Sequence, residues 1–297
     1  MTKPLFNQVT IVGLGLIGGS LGMALHRGRL AHRVIGFSRR EATIRQAKAR
    51  GAIHDGDTEL CPEWLSQSDL VIVATPPETV IPIARKIAAM TKGSLLMTDV
   101  ASVKSRIVRE LERTLPKRIS FVGGHPMAGS ERSGLEAADR NLFKGAACVV
   151  TRTAWTNPRA FQKVRRMWEC VGGRVIVLDP KRHDALAAQI SHVPHLTAAL
   201  LTLLPEKQAL SLAGGGFSDS TRIAASDPRV WEQICGMNRK KILETLDCLL
   251  RDLKAIRSFI EQGNLKALRR RLQSAQFRRN RLSTATDGLS PDRTRGR

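Results

Sequence analysis

The run Val9-Thr10-Ile11-Val12-Gly13-Leu14-Gly15-Leu16-Ile17-Gly18-Gly19-Ser20 constrains what this chain can fold into more than any other stretch. Val9, Ile11 and Val12 suit a buried strand, and Leu21 to Ala24 can continue a helix. Between them Gly13, Gly15 and Gly18 spell GxGxxG. The physical reading is a strand, a tight turn and a helix whose N-terminus faces a phosphate. Gly13 permits the turn, Gly15 lets backbone approach a pyrophosphate, and Gly18 lets helix and strand pack closely. Gly13, Gly15, Leu16, Ile17 and Gly18 are therefore candidate dinucleotide contacts. The competing reading is an ordinary glycine-rich turn, but a further strand at Arg33 to Phe37 gives the motif the context it requires.

Strand-like and helix-like segments then alternate with short connections. Predicted strands cover 8–12, 34–37, 69–74, 95–99, 121–122, 148–151 and 175–178, with helices to residue 27 and over 41–50, 79–90 and 102–114. Thr75-Pro76 opens the loop after the third of these strands and is a further candidate cofactor contact. This alternation predicts an α/β fold, an open and mostly parallel sheet with helices on both faces. From Asp184 onward the periodicity is helical. Ile242, Leu246, Leu249, Leu253, Ile256 and Ile260 form one apolar stripe that needs a partner, within the domain or across a two-fold interface. The expected organisation is a Rossmann-like dinucleotide-binding domain over 1–179 and an all-α substrate and dimerisation domain over 180–275. A basic tail over 276–297, with little to bury, is expected to be disordered.

The chain has 297 residues and is 42% hydrophobic, enough for such cores. No apolar run approaches the length needed to cross a bilayer, since Val193 to Leu204 is short and interrupted by His195 and Thr197. No cleavable signal is evident, because the first apolar segment runs straight into the glycine turn. Five dispersed cysteines fit reduced thiols in a cytoplasmic protein and offer no metal-ligand cluster. The net charge of +22 invites a nucleic-acid reading, yet residues 263–297 hold ten Lys/Arg against two Asp, leaving 38 against 24 elsewhere. A basic body can draw in an acidic substrate or a phosphate-bearing cofactor, or simply be a solvated surface.

The end of the second strand bears on the cofactor. NAD-binding units place a carboxylate there to hold the ribose hydroxyls. Here the sequence runs Phe37-Ser38-Arg39-Arg40. Ser38 can hydrogen-bond a ribose phosphate and Arg39 can pair with it bidentately, with Arg40 sharing the role. This favours NADP and leaves NAD possible; the alternative is a surface arginine at a helix start.

Four further stretches need one explanation: Thr98-Asp99-Val100-Ala101-Ser102-Val103-Lys104, Gly124-His125-Pro126-Met127-Ala128-Gly129-Ser130-Glu131, Ser191-His192-Val193-Pro194-His195, and Gly215-Gly216-Phe217-Ser218-Asp219-Ser220-Thr221-Arg222-Ile223-Ala224. With the glycine fingerprint, in order and over residues 8 to 262, they resemble the prephenate/arogenate dehydrogenase family of tyrosine biosynthesis. The resemblance implies that His125 accepts the proton of a substrate hydroxyl while hydride leaves the same carbon. The ring then loses its carboxylate and becomes aromatic. It implies that Ser102 touches both His125 and the hydroxyl, that Arg222 clamps the ring carboxylate, and that Ser130, Glu131, His195, Gly215 and Trp231 line the substrate site, with His192 in support. It also implies a homodimer, in which Trp231 resembles a position reaching the partner's site.

Each residue has a plainer reading. His125 could be a loop imidazole satisfied by backbone, Ser102 a helix cap, Lys104 a solvated charge, Trp231 a large buried contact. Arg222 could pair with Asp219 on one helix face. Glu131 could favour an amino group, as in arogenate, or order the pocket through an ion pair. His192 and His195 suggest a metal pair, but Pro194 disrupts an ordinary helix and no third ligand is near, so no metal is expected. Two other function classes stay open: a beta-hydroxyacid-type NAD(P)-dependent dehydrogenase, and a basic nucleic-acid-binding or regulatory protein on a dinucleotide fold.

Overall fold

The computed structural model describes residues 4–287. Its core is a six-stranded sheet in the order β3-β2-β1-β4-β5-β6, with every recorded pairing parallel. The strands are β1 (Phe6–Val12), β2 (Ala31–Phe37), β3 (Asp55–Asp57), β4 (Leu70–Val73), β5 (Leu95–Asp99) and β6 (Ile119–Val122). Between them run α1 (Leu16–Arg27), α2 (Glu41–Ala49), α3 (Pro62–Ser66), α4 (Pro77–Met90) and α5 (Ser105–Thr114). β1 and β4 are fully buried along Val9, Ile11, Leu70, Val71, Ile72 and Val73, as central strands covered by helices on both faces must be. This is the expected doubly wound fold.

The later strands depart from that expectation. β7 (Gly124–Pro126), β8 (Ala147–Thr151) and β9 (Arg174–Leu178) form a separate three-stranded sheet, in which β7 runs antiparallel to β8. Gly123, between β6 and β7, accepts the Thr151 backbone N–H, so the chain passes from one sheet to the other just ahead of His125. α6 (Pro158–Cys170), capped by the Asn157 side chain, buries Phe161, Val164, Met167 and Trp168.

The remainder is helical: α7 (Pro180–Ala187), α8 (Val193–Leu203), α9 (Lys207–Leu210), α10 (Gly215–Thr221), α11 (Pro228–Met237), α12 (Arg239–Glu261) and α13 (Leu265–Asp287). Two compact units divide within α12, Met1–Ile242 and Leu243–Arg297. In the first, α7 packs on α5 and α11 on α4, so compactness puts its division well past residue 179. In the second, Gly263 adopts φ +66° between the two long helices, and Arg271 pairs with Asp252. The disorder expected from residue 276 is corrected for 276–287, which continue α13. Gln276, Arg278, Arg279, Arg281 and Leu282 are good helix formers although they are exposed. Residues 288–297 of that tail lie outside the described residues.

Candidate active site

Strand register brings the candidate residues to one edge of the main sheet. Val12 is level with Phe37 and Val73, Val73 with Asp99, and Thr98 with Val122. The segments that leave this edge therefore begin at Gly13, Ser38, Ala74, Val100 and Gly123. In parallel sheets the crevice lies outside the carboxyl ends of the strands, where the strand order reverses, here between β1 and β4.

The glycine turn fits a dinucleotide. Gly13 has φ +102°, and a Cβ on it would collide with the Ala74 carbonyl oxygen. A Cβ on Gly18 would collide with the Gly13 carbonyl oxygen, so that glycine is needed for packing. Gly15 is different: nothing lies within 4 Å of a Cβ added there. No protein group therefore requires a glycine there. Gly15 is also the N-cap of α1 and makes no side-chain cap, so the Leu16 and Ile17 N–H groups head the helix uncovered by a side chain. Thr75 flanks the turn, its methyl 2.9 Å from the position of a Gly13 Cβ, and its Oγ1 accepts from Thr79 at 2.8 Å. Pro76 is the N-cap of α4. At the end of β2, Ser38 is half-buried and Arg39 and Arg40 are exposed, with Arg40 the N-cap of α2.

His125 sits on β7 rather than in a loop, and is 7% exposed. Its Nδ1 lies 2.8 Å from His183 Nε2, and His183 Nδ1 lies 2.8 Å from Asp184 Oδ1. The backbone-satisfied reading of His125 is thus replaced by a side-chain chain of three groups. Burial, and then the neighbouring His183, Lys104 and His192, hold the His125 imidazole well below its ordinary pKa, so it is neutral at pH 7. Burial pushes the Asp184 carboxyl up, but hydrogen bonds from His183, Ser105 and Lys104 outweigh it and leave the group below its usual range.

Lys104 is fully buried, which corrects the solvated-charge reading. Its ammonium pairs with Asp99 and donates to the Gly124 carbonyl at 2.9 Å, while Asp99 accepts the Gly124 N–H at 3.1 Å. The ion pair thus grips both backbone polar groups of the residue before His125. Burial drives Lys104 down and Asp99 up, and their mutual attraction opposes both shifts. Ser102 does not cap α5, another correction. That helix starts at Ser105, and Asp184 from α7 takes the capping role, accepting the Lys104 and Ser105 N–H groups at 2.8 Å each. Ser102 is left in the loop between β5 and α5.

On the helical side, Arg222 ends α10 and pairs with Glu131 at 2.5 Å, not with Asp219. Glu131 is held below its usual range by its own backbone N–H and by Arg222. Ser130 is exposed and bonded to the Arg132 backbone within its own turn. Gly215 opens α10, with nothing within 4 Å of a Cβ added to it. His195 stacks face to face on Trp231, centroids 3.4 Å apart and planes 7° from parallel. The same indole meets His192 edge-on, with centroids 6.2 Å apart. His192 is fully buried; its Nδ1 lies 3.1 Å from the Asn238 amide, which also donates to the Asp184 carbonyl at 2.8 Å. The helix is not broken by Pro194, as the sequence suggested. A π-helical turn, Ala188–His192, leads directly into α8, whose first turn accommodates the proline.

Sequence reading missed His183, Asp184 and Asn238, and the pairing of Asp99 with Lys104. The available signal was slight: Asp184, Ala187 and Ala188 share a helical face, and an acid on an apolar face must find a partner. A cavity of about 700 Å³ opens elsewhere, beside Arg109, Arg113, Arg152 and Trp155, and His125 does not line it.

Comparison with known proteins bears on the family of the chain. Residues 21–177 match the family model "Prephenate dehydrogenase, nucleotide-binding domain", and residues 179–274 match "Prephenate dehydrogenase, dimerization domain". The chain is 33% identical to prephenate dehydrogenase of Bacillus subtilis over 294 residues, spanning 96% of this chain and 78% of that protein. It is 30% identical to cyclohexadienyl dehydrogenase of Zymomonas mobilis, over 95% of this chain and 98% of that one. Among solved structures, A. aeolicus prephenate dehydrogenase in complex with hydroxyphenyl propionate and NAD+ superposes with a TM-score of 0.86 at 32% identity, covering 93% of this chain and 98% of the other.

Proposed function

The chain belongs to the prephenate dehydrogenase family, and from that premise we propose that it oxidatively decarboxylates prephenate, arogenate or both with NADP as acceptor. The products are 4-hydroxyphenylpyruvate and tyrosine respectively. The observation that carries this reading is His125: a buried, neutral imidazole on β7, three residues beyond the point where β6 leaves the same end of the main sheet as the glycine turn. When bound, the nicotinamide supplies the hydride acceptor.

His125 receives the proton of the substrate hydroxyl on Nε2, the nitrogen not engaged with His183. Ser102 bonds the same hydroxyl and orients it. Arg222 offers its remaining N–H groups to the ring carboxylate, and Glu131 fixes the guanidinium plane. Ser130, His195, Trp231 and Gly215 complete the substrate wall. The stack of Trp231 on His195 gives that wall a rigid aromatic face. Gly13, Gly15, Leu16, Ile17, Gly18, Thr75 and Pro76 cradle the dinucleotide, and Ser38, Arg39 and Arg40 meet the ribose phosphate. NADP is favoured because the end of β2 carries two exposed arginines and no carboxylate.

The division of labour we propose is 1–179 for cofactor and 180–275 for substrate and dimerisation. Two sets of exposed apolar side chains support a homodimer. Leu200, Leu203, Leu204 and Leu212 lie in the first unit, and Leu253, Ile260, Leu265 and Leu272 in the second. Among the described residues no helix is long and apolar enough to cross a membrane, and we place the enzyme in the cytoplasm.

The test is direct: reduction of NADP and of NAD with prephenate and with arogenate. Turnover with at least one substrate, faster with NADP, is expected. Absence of turnover with both substrates, while cofactor binds, overturns the assignment.

A further inference from the structure

A base must present a lone pair, so the useful question about His125 is which nitrogen carries its hydrogen. Asp184 answers it through His183. The Asp184 carboxylate is an acceptor only, so the His183 Nδ1 at 2.8 Å carries the hydrogen between them. In a neutral His183, Nε2 is then a bare acceptor. The atom facing it at 2.8 Å, His125 Nδ1, must therefore be the donor. That leaves the lone pair of His125 on Nε2. The carboxylate cannot rotate away from this duty. The Lys104 and Ser105 N–H groups hold its two oxygens at the head of α5, and the Asn238 amide holds its backbone carbonyl.

We propose that His183 and Asp184 form a proton relay behind His125, fixing the tautomer that accepts the substrate proton and then taking on the charge that arrives. Resting on the assignment of His125 as the base, the step balances as follows. The substrate O–H breaks and its proton forms a bond to His125 Nε2, while hydride leaves the same carbon for the nicotinamide. The Nδ1–H of His125 passes to His183 Nε2. His125 ends neutral with its hydrogen on Nε2, and His183 ends as an imidazolium against the Asp184 carboxylate. The proton returns along the same path and leaves to solvent after product departs.

The surroundings suit this transfer. The groups facing the two rings are the Lys104–Asp99 pair at the start of β7, His192 on the π-helical turn, and Asp184 itself. Cations placed on His125 meet Lys104; moved one ring along, the charge meets a carboxylate instead. His183 and Asp184 are 2% exposed, so the positive charge is shielded from water and depends on its partner. His183 is thus a positioning residue that acts through His125.

Nitrogen-15 NMR of the histidine rings tests the tautomer without turnover, with His125→Asn identifying the signals. The relay requires hydrogen on Nδ1 of His125 and a bare Nε2 in the free enzyme; an Nε2–H majority overturns it. Kinetics supply the second reading. His183→Gln can hold the His125 Nδ1–H but cannot take its proton. It should lower kcat by roughly 100-fold, the lower end of what general acid–base groups contribute, and leave KM and cofactor affinity little changed. In His183→Phe, His125 should show both tautomers. A kcat within about twofold of wild type in His183→Gln, with cofactor still bound, overturns the relay while leaving His125 as the base. If wild type turns over neither substrate, the functional assignment fails, and the NMR result alone decides the tautomer.

Discussion

At the residue scale, the site is a set of side chains whose partners fix their chemistry. His125→Asn removes the proton acceptor while keeping a similar volume on β7. It should fold and bind cofactor yet lose at least about 100-fold in kcat, measured by steady-state assay; near-normal turnover across neutral pH would refute the role. Arg222→Ala leaves Glu131 without its partner and the ring carboxylate without its clamp. The expected result is a rise in substrate KM of tenfold or more, equivalent to about 1.4 kcal/mol, and an unchanged KM would remove Arg222 from the site. His192 carries a pH prediction. Burial lowers its pKa to about 4 from 6.5, so the folded state resists a proton that the unfolded chain accepts. Its contribution is fully present above pH 6.5 and is lost as pH falls towards 4, by ~3 kcal/mol at most. Thermal unfolding followed from pH 7.5 to 4 should show this decline, with a shallower slope in His192→Gln; equal slopes would count against it.

At the element scale, the glycine turn separates two jobs that the motif alone leaves fused. Gly18 sits where α1 crosses the turn, and a methyl there meets the Gly13 carbonyl. Gly18→Ala should cost about 1–3 kcal/mol of stability, as overpacking does. Gly15 has open space at the Cβ position and an ordinary φ of −87°. Gly15→Ala should therefore leave the melting temperature of the free protein unchanged and weaken cofactor binding by about tenfold or more. Calorimetry and cofactor titration of the two variants make the comparison. Equal stability losses in both would mean that Gly15 is also a packing glycine. At the α5 head one feature has two duties: Asp184 caps the helix and also bonds His183, so the placement of the two histidines is tied to a structural joint.

At the scale of the whole molecule, the exposed leucines of α8 and α12 are the feature a single chain leaves unresolved. Leu203 is 80% and Leu204 79% exposed, more than an isolated helical surface needs. Sedimentation should give a dimer. Leu203→Glu with Leu253→Glu should shift it towards monomer, and a wild-type monomer would overturn the assembly we propose. The net charge of +22 belongs to this scale as well, since it governs encounter rather than fold. A dianionic substrate should therefore show a KM that rises with ionic strength.

Periodicity and glycine spacing by themselves determined the doubly wound half, because strand alternation and the GxGxxG turn are local consequences of backbone sterics. The runs that hold His125, Ser102 and Arg222 stood out in the sequence for the same reason, each being short and distinctive. What only the tertiary structure decided are the pairings between distant segments. His183 reaches His125 across 58 residues, Asp184 reaches the head of α5 across 80, and Glu131 reaches Arg222 across 91. The antiparallel β7 and the burial of Lys104 were equally invisible, since a charge run reads as solvated until a fold supplies Asp99 and the Gly124 carbonyl to receive it. Sequence pattern specifies which face of an element is buried. The identity of the group it is buried against depends on how the chain returns.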